Sequence, residues 1–368
     1  MKLSLVIPTL NRINELKSLV ASIHAQVIPK GLNVTICISG AYCNSKVKAY
    51  LKSIEGRKRR FNFKIHVQPI GSSNWYLASC LVPSDCDFAW TLGDDDEFTD
   101  SRSISRIFHF LKLHPDIDGL FIPMASRVKN EYYIKDKFYD VCNRVGFHEV
   151  AGWISSSIIR SKVFKEIYQN VCDVHSAKKI AFYNTPKLAQ TCYEQKIGQF
   201  THATCILEAL FDSPVIYASF NIIREQTSPR GLFETLKRDK ISIKNKKYHG
   251  TRFIFDLIKI SQILIKNSRT PSPIFYRYVC RDYFQLCYDI LLDGILTNSY
   301  SSVEVVNLLE IMSMAIISDD ISYIKCNKIT ILFIESLYSA KAFGERDFKR
   351  SQFQRLFELV RVKEYINS

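Results

Sequence analysis

The chain has 368 residues, 47% of them hydrophobic and 23% charged, which is enough apolar mass for a substantial core and a length that favours two domains over one. That composition excludes a disordered chain, and no stretch approaches the roughly 18 uncharged apolar residues of a membrane span. The net charge of +14 calls for an anionic partner, whether nucleic acid, a membrane surface or a phosphorylated substrate.

The amino terminus, MKLSLVIPTLNR, has too short an apolar run for a signal peptide, and the eleven cysteines are scattered without a CxxC pair. Both features predict a cytosolic protein with reduced core thiols. Leu3 to Pro8 is a continuous apolar run closed by Pro8-Thr9, the pattern of a buried parallel strand. A helix follows from about Asn14, with Leu16, Leu19, Val20 and Ile23 at helical spacing, and a second strand spans Asn33 to Ser39. Strand, helix, strand is a βαβ unit. A helix over Val47 to Ile54, a strand over Phe61 to Val67 and a helix over Asn74 to Leu81 precede the next apolar run, Phe88 to Leu92. Beyond it come a helix at SISRIFHFLKLH and a strand over Leu120 to Met124. The alternation predicts a doubly wound α/β domain.

The middle of the chain is less regular. Gly152 to Ile159 is apolar but dotted with serines and feeds a helix near Ser161; Ile197 to Leu210 is helical in period, and Val215 to Phe220 reads as a strand. Beyond Pro229 strand signals give way to helical patterns at Phe253 to Ile265, Phe275 to Leu292, Val303 to Ile317, Thr330 to Ser339 and Ser351 to Tyr365. The expected division is residues 1–232 as an α/β domain and 233–368 as an all-helical region, with a basic linker at about 237–252. That linker and Arg57-Lys58-Arg59-Arg60 read either as solvated loops or as polyanion surfaces.

The chemistry centres on FAWTLGDDDEF. Three adjacent carboxylates repel one another and are stable only when solvated, partly protonated or neutralised by a cation. At the carboxyl end of a parallel strand, where open α/β sheets bind ligands, Asp94, Asp95 and Asp96 suit Mg²⁺ or Mn²⁺ arriving with phosphates. The competing reading is an acidic turn capping the next helix through Thr99-Asp100-Ser101.

SLVIPTLNR, the βαβ unit and LGDDDEF, in that order, resemble the family 2 glycosyltransferases of the GT-A fold. The likeness is to bacterial enzymes that build O-antigens and capsules and carry a GDDD form of the DXD motif, and it covers roughly residues 1–225. It implies a GT-A type doubly wound mixed sheet and an inverting, metal-dependent transfer. The donor would be a nucleotide sugar, a UDP-sugar by preference, and the acceptor a glycan or lipid-linked saccharide. It places Asp96 and Asp94 as contacts to Mn²⁺ or Mg²⁺ or to the ribose, with His202 as a further ligand or the base, and Asp95 takes such a role if the GDDD stretch is aligned one residue over. Pro8, Thr9, Asn11 and Arg12 match the loop beside the nucleotide base, with Ser39 at the end of the second strand. Arg224 and Arg230 follow the last strand, where a loop would close over the diphosphate, and Trp153 would stack on the acceptor sugar.

The sequence departs from the family in two places. Ser39-Gly40-Ala41-Tyr42-Cys43-Asn44 lacks the aspartate that usually meets the base or ribose, and the acidic pair supplying the base is missing from Gly198 to His202. Candidates for the base are therefore Glu194, His202 and Glu208, with Glu149 and Asp212 behind them, and a plain structural role is the alternative for His202 and Glu194. The last helix, with Phe353, Leu356, Phe357 and Val360 on one side, reads as a packed helix, a homodimer contact or a peripheral contact with an anionic membrane. The +14 charge also admits a nucleic-acid-binding or nucleic-acid-modifying protein, though the aspartates would repel a phosphate backbone.

Overall fold

Lys2–Thr9 forms the first strand, β1, and every side chain from Leu3 to Ile7 is buried, because β1 is flanked on both sides by parallel partners. The computed structural model describes residues 1–9, 12–41, 43–55, 60–68, 78–176 and 200–226, and scattered positions between 255 and 267. By its internal contacts the chain separates into two units, Met1–Thr191 with Phe200–Arg238, and Cys192–Gln199 with Asp239–Ser368.

The first unit is built on an eight-stranded mixed sheet. After β1 come helix α1 (Ile13–His24), β2 (Asn33–Ala41), α2 (Ser45–Glu55), β3 (Asn62–Gln68), β4 (Phe88–Thr91), β5 (Asp96–Phe98), α3 (Ser103–Leu113) and β6 (Gly119–Phe121). Then follow β7 (Tyr133–Lys137), α4 (Phe138–Val145), β8 (Ser157–Arg160), α5 (Ser161–Ser176), α6 (Thr201–Leu210), β9 (Pro214–Ala218) and β10 (Ile223–Glu225). The order across the sheet is β3-β2-β1-β4-β8-β6-β9-β7. The strands β3, β2, β1 and β4 run parallel, β8 is wedged antiparallel between β4 and β6, β9 runs parallel to β6, and β7 closes the edge antiparallel. A separate ribbon pairs β10 with β5.

The predicted helices form where apolar residues recur at helical spacing. Helix α1 buries Leu16, Leu19, Val20 and Ile23 on the sheet, and α2 buries Val47, Leu51 and Ile54 behind a cap in which Asn44 Oδ1 accepts the amide of Val47 at 3.0 Å. Helix α3 is capped from two directions. Asp100 Oδ1 accepts the amide of Arg102 at 2.7 Å, and the buried Gln26 Oε1 accepts that of Ile104 at 3.1 Å. The acidic turn is thus a cap at Asp100, while Asp94 and Asp96 are buried elsewhere.

Several boundaries differ from expectation. The strand expected over Leu120 to Met124 covers Gly119–Phe121 and passes into a 3-10 turn at Ala125–Arg127. The serine-dotted segment holds β8, whose Ser157, Ile158 and Ile159 are buried on both faces between two strands, so no alternation marks it. Edge strand β7 and helix α4 were not expected. Of the predicted helix over Asn74 to Leu81, only residues from 78 lie within the described region.

Arg60, expected in a basic loop, donates to the carbonyl of Gln26 at 2.8 Å and covers the ring of Phe61; Arg57, Lys58 and Arg59 lie outside the described residues, as does the basic stretch 237–252. In the second unit the described residues are helical, and Phe255, Ile260, Ile263 and Leu264 are buried, which fits the helix expected over Phe253 to Ile265. The later expected helices lie outside the described residues. Among the described residues no helix is long and apolar enough to cross a membrane; Cys37, Cys43, Cys86, Cys142 and Cys205 are buried thiols and Cys80 is an exposed one.

Candidate active site

Strand β4 is short because its neighbours demand only four residues of it: Phe88, Ala89 and Trp90 pair with both β1 and β8, and the chain leaves the sheet at Leu92, whose amide reaches back to the carbonyl of Val6. Gly93 then turns the acid loop. A Cβ at this position would lie 2.8 Å from Asp95 Oδ1 and 3.0 Å from Asp96 Oδ2, so any larger residue would push these carboxylates out of place.

Each aspartate is held by a different part of the chain. Asp94 is buried; its Oδ2 accepts the hydroxyl of Thr9 at 2.7 Å, and its Oδ1 pairs with Arg12 Nη2 at 2.7 Å. Arg12 also pairs with Asp95 through Nη1. Although burial opposes its charge, the two carboxylates raise the pKa of the Arg12 guanidinium, which stays a fixed cation. Asp96 is buried and receives the amide of Gly93 at 2.7 Å and the hydroxyl of Ser155. Burial pushes Asp96 up to about 8, with Asp95 and Asp94 adding to it and the Ser155 and Gly93 hydrogen bonds opposing it.

Ser155 itself is fixed from β4. Its hydroxyl oxygen accepts the amide of Gly93 at 2.9 Å, and its carbonyl accepts the indole N–H of the fully buried Trp90 at 3.0 Å. On the other side β10 pairs with β5, placing Glu225 opposite Asp96. Gln226 extends that clamp: its amide donates to the carbonyl of Asp95 at 2.8 Å, and its side chain donates to the carbonyls of Asp96 and Glu15.

Arg12 brings one positive charge against three carboxyl groups, leaving an excess of acid at the carboxyl ends of β1 and β4. Oxygen atoms of Asp95 and Asp96 both border the space above Gly93. Among the described residues no three His, Cys, Asp or Glu side chains are placed to hold a metal by themselves. Hard dications that travel with phosphates take one or two protein carboxylates and complete their shell from substrate and water, and the acid loop fits that demand.

The other expected site residues divide between near and far. Pro8 and Ser39 stand side by side at the carboxyl ends of β1 and β2, in register with each other. Arg224 lies on β10, paired at 2.7 Å with Glu97 of the acid loop's own strand. Trp153 packs against the main core at the entrance to the Ser155 turn, which makes it a wall of the fold beside the loop. His202 sits apart. Helix α6 packs on the turn His148–Gly152, so the imidazole of His202 is hydrogen-bonded to the backbone of that turn and lies edge-on to Phe200. Burial and the neighbouring His148 lower its pKa to about 4, so it is neutral at pH 7. The set Asp94, Asp96 and His202 is therefore not assembled as one metal cage among the described residues. Glu208 is half-buried near the end of α6; Asn11, Glu194 and Arg230 lie outside the described residues.

Ser155, Gly93, Glu97, Glu225 and Gln226 were not singled out for these roles from sequence. Ser155 stood in an apolar run dotted with serines, but its partner Asp96 is 59 residues away, and Gln226 lies 130 residues from the same aspartate.

No family model matches the chain, and no curated protein matches it. Among solved structures, S. aureus TarS 1–349 in complex with UDP-GlcNAc aligns with a TM-score of 0.47 at 12% identity, covering 94% of this chain and 93% of that one. The mannosyltransferase PcManGT from Pyrobaculum calidifontis, in complex with GDP-Man and Mn²⁺, aligns with a TM-score of 0.45 at 10% identity, covering 94% and 88%. Likeness at this level assigns no activity to this chain.

Proposed function

We propose that the chain is a metal-dependent, inverting glycosyltransferase that moves a sugar from a nucleotide donor, by preference a UDP-sugar, to a growing surface glycan or lipid-linked saccharide. The observation that carries this reading is the acid loop Asp94–Asp96 at the carboxyl end of β4, pinned by Thr9 from the end of β1, by Arg12 from the start of α1 and by Ser155. Ligands of open α/β sheets bind at that end.

In the proposed transfer the acceptor hydroxyl attacks the anomeric carbon as the bond to the diphosphate oxygen breaks. The diphosphate leaves with the bonding electron pair, and the hydroxyl proton passes to a base. Mn²⁺ or Mg²⁺ held by Asp94, Asp95 and Asp96 would neutralise charge on that leaving group. The residues of the chain do the positioning. Pro8, Thr9 and Ser39 border the nucleotide, with Asn11 in the same loop; Arg12 keeps Asp94 and Asp95 in place; and Arg224 and Arg230 belong to the segment that would cover the diphosphate. Glu194, Glu208 and His202 are the candidates for the base. The neutral imidazole of His202 is in the protonation state a base requires, although its low pKa makes it a weak one.

The catalytic part is assigned to residues 1–232, and the basic linker and helices of 233–368 to contact with an anionic cytoplasmic membrane face or with a second copy. A melting screen of nucleotide sugars with Mn²⁺ tests the assignment. One donor should stabilise the chain by about 3 kcal/mol at a hundredfold excess over its Kd. The effect should vanish on chelation and in Asp96→Asn, whereas a flat response to every nucleotide and nucleotide sugar would refute the reading.

A further inference from the structure

We propose that Arg127, Tyr132, Glu149 and Tyr217 form a subsite for an acceptor oligosaccharide at the carboxyl end of the sheet, beside the acid loop; the role as acceptor site rests on the glycosyl-transfer reading above.

The topology brings the four together. β6 and β9 run in the same direction as β4, and β7 runs opposite, so the carboxyl ends of β4, β6 and β9 and the amino end of β7 share one end of the sheet. Arg127 belongs to the turn that follows β6, Tyr217 is near the end of β9, and Tyr132 immediately precedes β7. Glu149 comes from the turn His148–Gly152. Arg127 and Glu149 form an ion pair, and the rings of Tyr132 and Tyr217 lie 6.1 Å apart at 44°. Burial raises the Tyr217 pKa, Glu149 and Tyr132 raise it further and Arg127 opposes them, so Tyr217 feels each of the other three. The turn carrying Arg127 also packs against β10, whose Glu225 stands opposite Asp96. The turn carrying Arg127 therefore meets the acid loop through β10, while Tyr132 lies at the far edge of the sheet.

The chemistry suits a sugar. A pyranose offers hydroxyls around its rim and a C–H face above it; the first seek fixed charged donors and acceptors, the second an exposed aromatic ring. Tyr132 is 48% exposed and the Arg127 side chain 47%, so both reach solvent, while Glu149 at 22% is held against the buried Tyr217. Glu149 disfavours a phosphate or another anion, and fixed donors and acceptors beside an exposed ring suit a neutral, hydroxyl-bearing ligand. Spanning from β4 to β7 crosses four inter-strand steps, roughly 19 Å, so the surface matches an oligosaccharide better than a monosaccharide.

The full chain, fluorescently labelled, is applied to a printed array of short oligosaccharides. Retention of the wild type on a subset, reduced about tenfold in Tyr132→Ala and in Glu149→Gln and largely kept in Tyr132→Phe, is the expected result. Because Tyr132 is exposed, its truncation leaves the fold intact, which the melting curve confirms. Absence of any retained oligosaccharide, or wild-type retention by Tyr132→Ala, overturns the subsite. Stabilisation by a nucleotide sugar and Mn²⁺, followed on the same samples, judges the transfer reading separately: its loss in every sample sinks that reading, while array binding still decides the subsite.

Discussion

Replacing Arg12 by glutamine removes the cation that joins Asp94 to Asp95 and leaves three carboxyl groups within one turn of chain. Loss of one partner of a fully buried ion pair costs about 3–5 kcal/mol, whereas an exposed pair is worth about 0–1 kcal/mol. Asp94 is buried and the Arg12 side chain is 48% exposed, so the expected cost lies between these limits, at about 2 kcal/mol. For a folding unit of this size that is a fall of about 4–8 °C in the melting transition of the sheet unit. The same substitution raises the negative charge facing a divalent cation. Millimolar Mn²⁺ should therefore restore more stability to Arg12→Gln than it adds to the wild type, and extra salt should restore part of it by screening. Differential scanning fluorimetry with and without Mn²⁺ measures both effects. An unchanged melting point in Arg12→Gln, or an Mn²⁺ response no larger than the wild type's, would refute the view that Arg12 balances the charge of Asp94 and Asp95.

Gly93→Ala should keep the fold but lose Mn²⁺-dependent stabilisation, since its Cβ would press on Asp95 Oδ1 and Asp96 Oδ2; a wild-type Mn²⁺ shift contradicts this. Trp90→Phe leaves the Ser155 carbonyl without its donor and a gap beside Phe98, for a combined cost of about 2–4 kcal/mol, and a loss below about 1 kcal/mol in denaturant unfolding would show that the indole is dispensable. For His202 the folded pKa lies below the unfolded one, at about 4 against 6.5, so the unfolded chain binds a proton first as pH falls. Its contribution is complete above about pH 6.5 and is lost on descending towards pH 4, by at most about 3 kcal/mol. His202→Gln should flatten the stability profile across that window, and an unchanged slope would assign it to other groups.

Most of the parallel half of the sheet was legible along the chain, because a strand buried on both faces must be a continuous apolar run, as Leu3 to Pro8 and Phe88 to Leu92 are. Helices α1, α2 and α3 were equally legible, since each needs one apolar stripe. The antiparallel elements were not. Half-exposed β7 is YIKDK, whose lysines and aspartate mark a charged edge as much as a loop, and β8 hides its strand in serines whose hydroxyls bond locally to nearby carbonyls.

Sequence alone determined that three adjacent carboxylates would end a buried strand, since their mutual repulsion and the apolar run before them are local facts. Tertiary structure decided their separate roles. Asp94 is tied to Thr9 and Arg12, Asp95 shares Arg12, and Asp96 is buried against Ser155, with Gln226 holding the loop's carbonyls from the far end of the domain. Those partners come from segments distant in sequence, brought to one place by the pairing of β1, β4 and β8 in one sheet and of β5 with β10 in a separate ribbon. Hydrogen-bond pairing across such distances leaves no periodic trace in the chain.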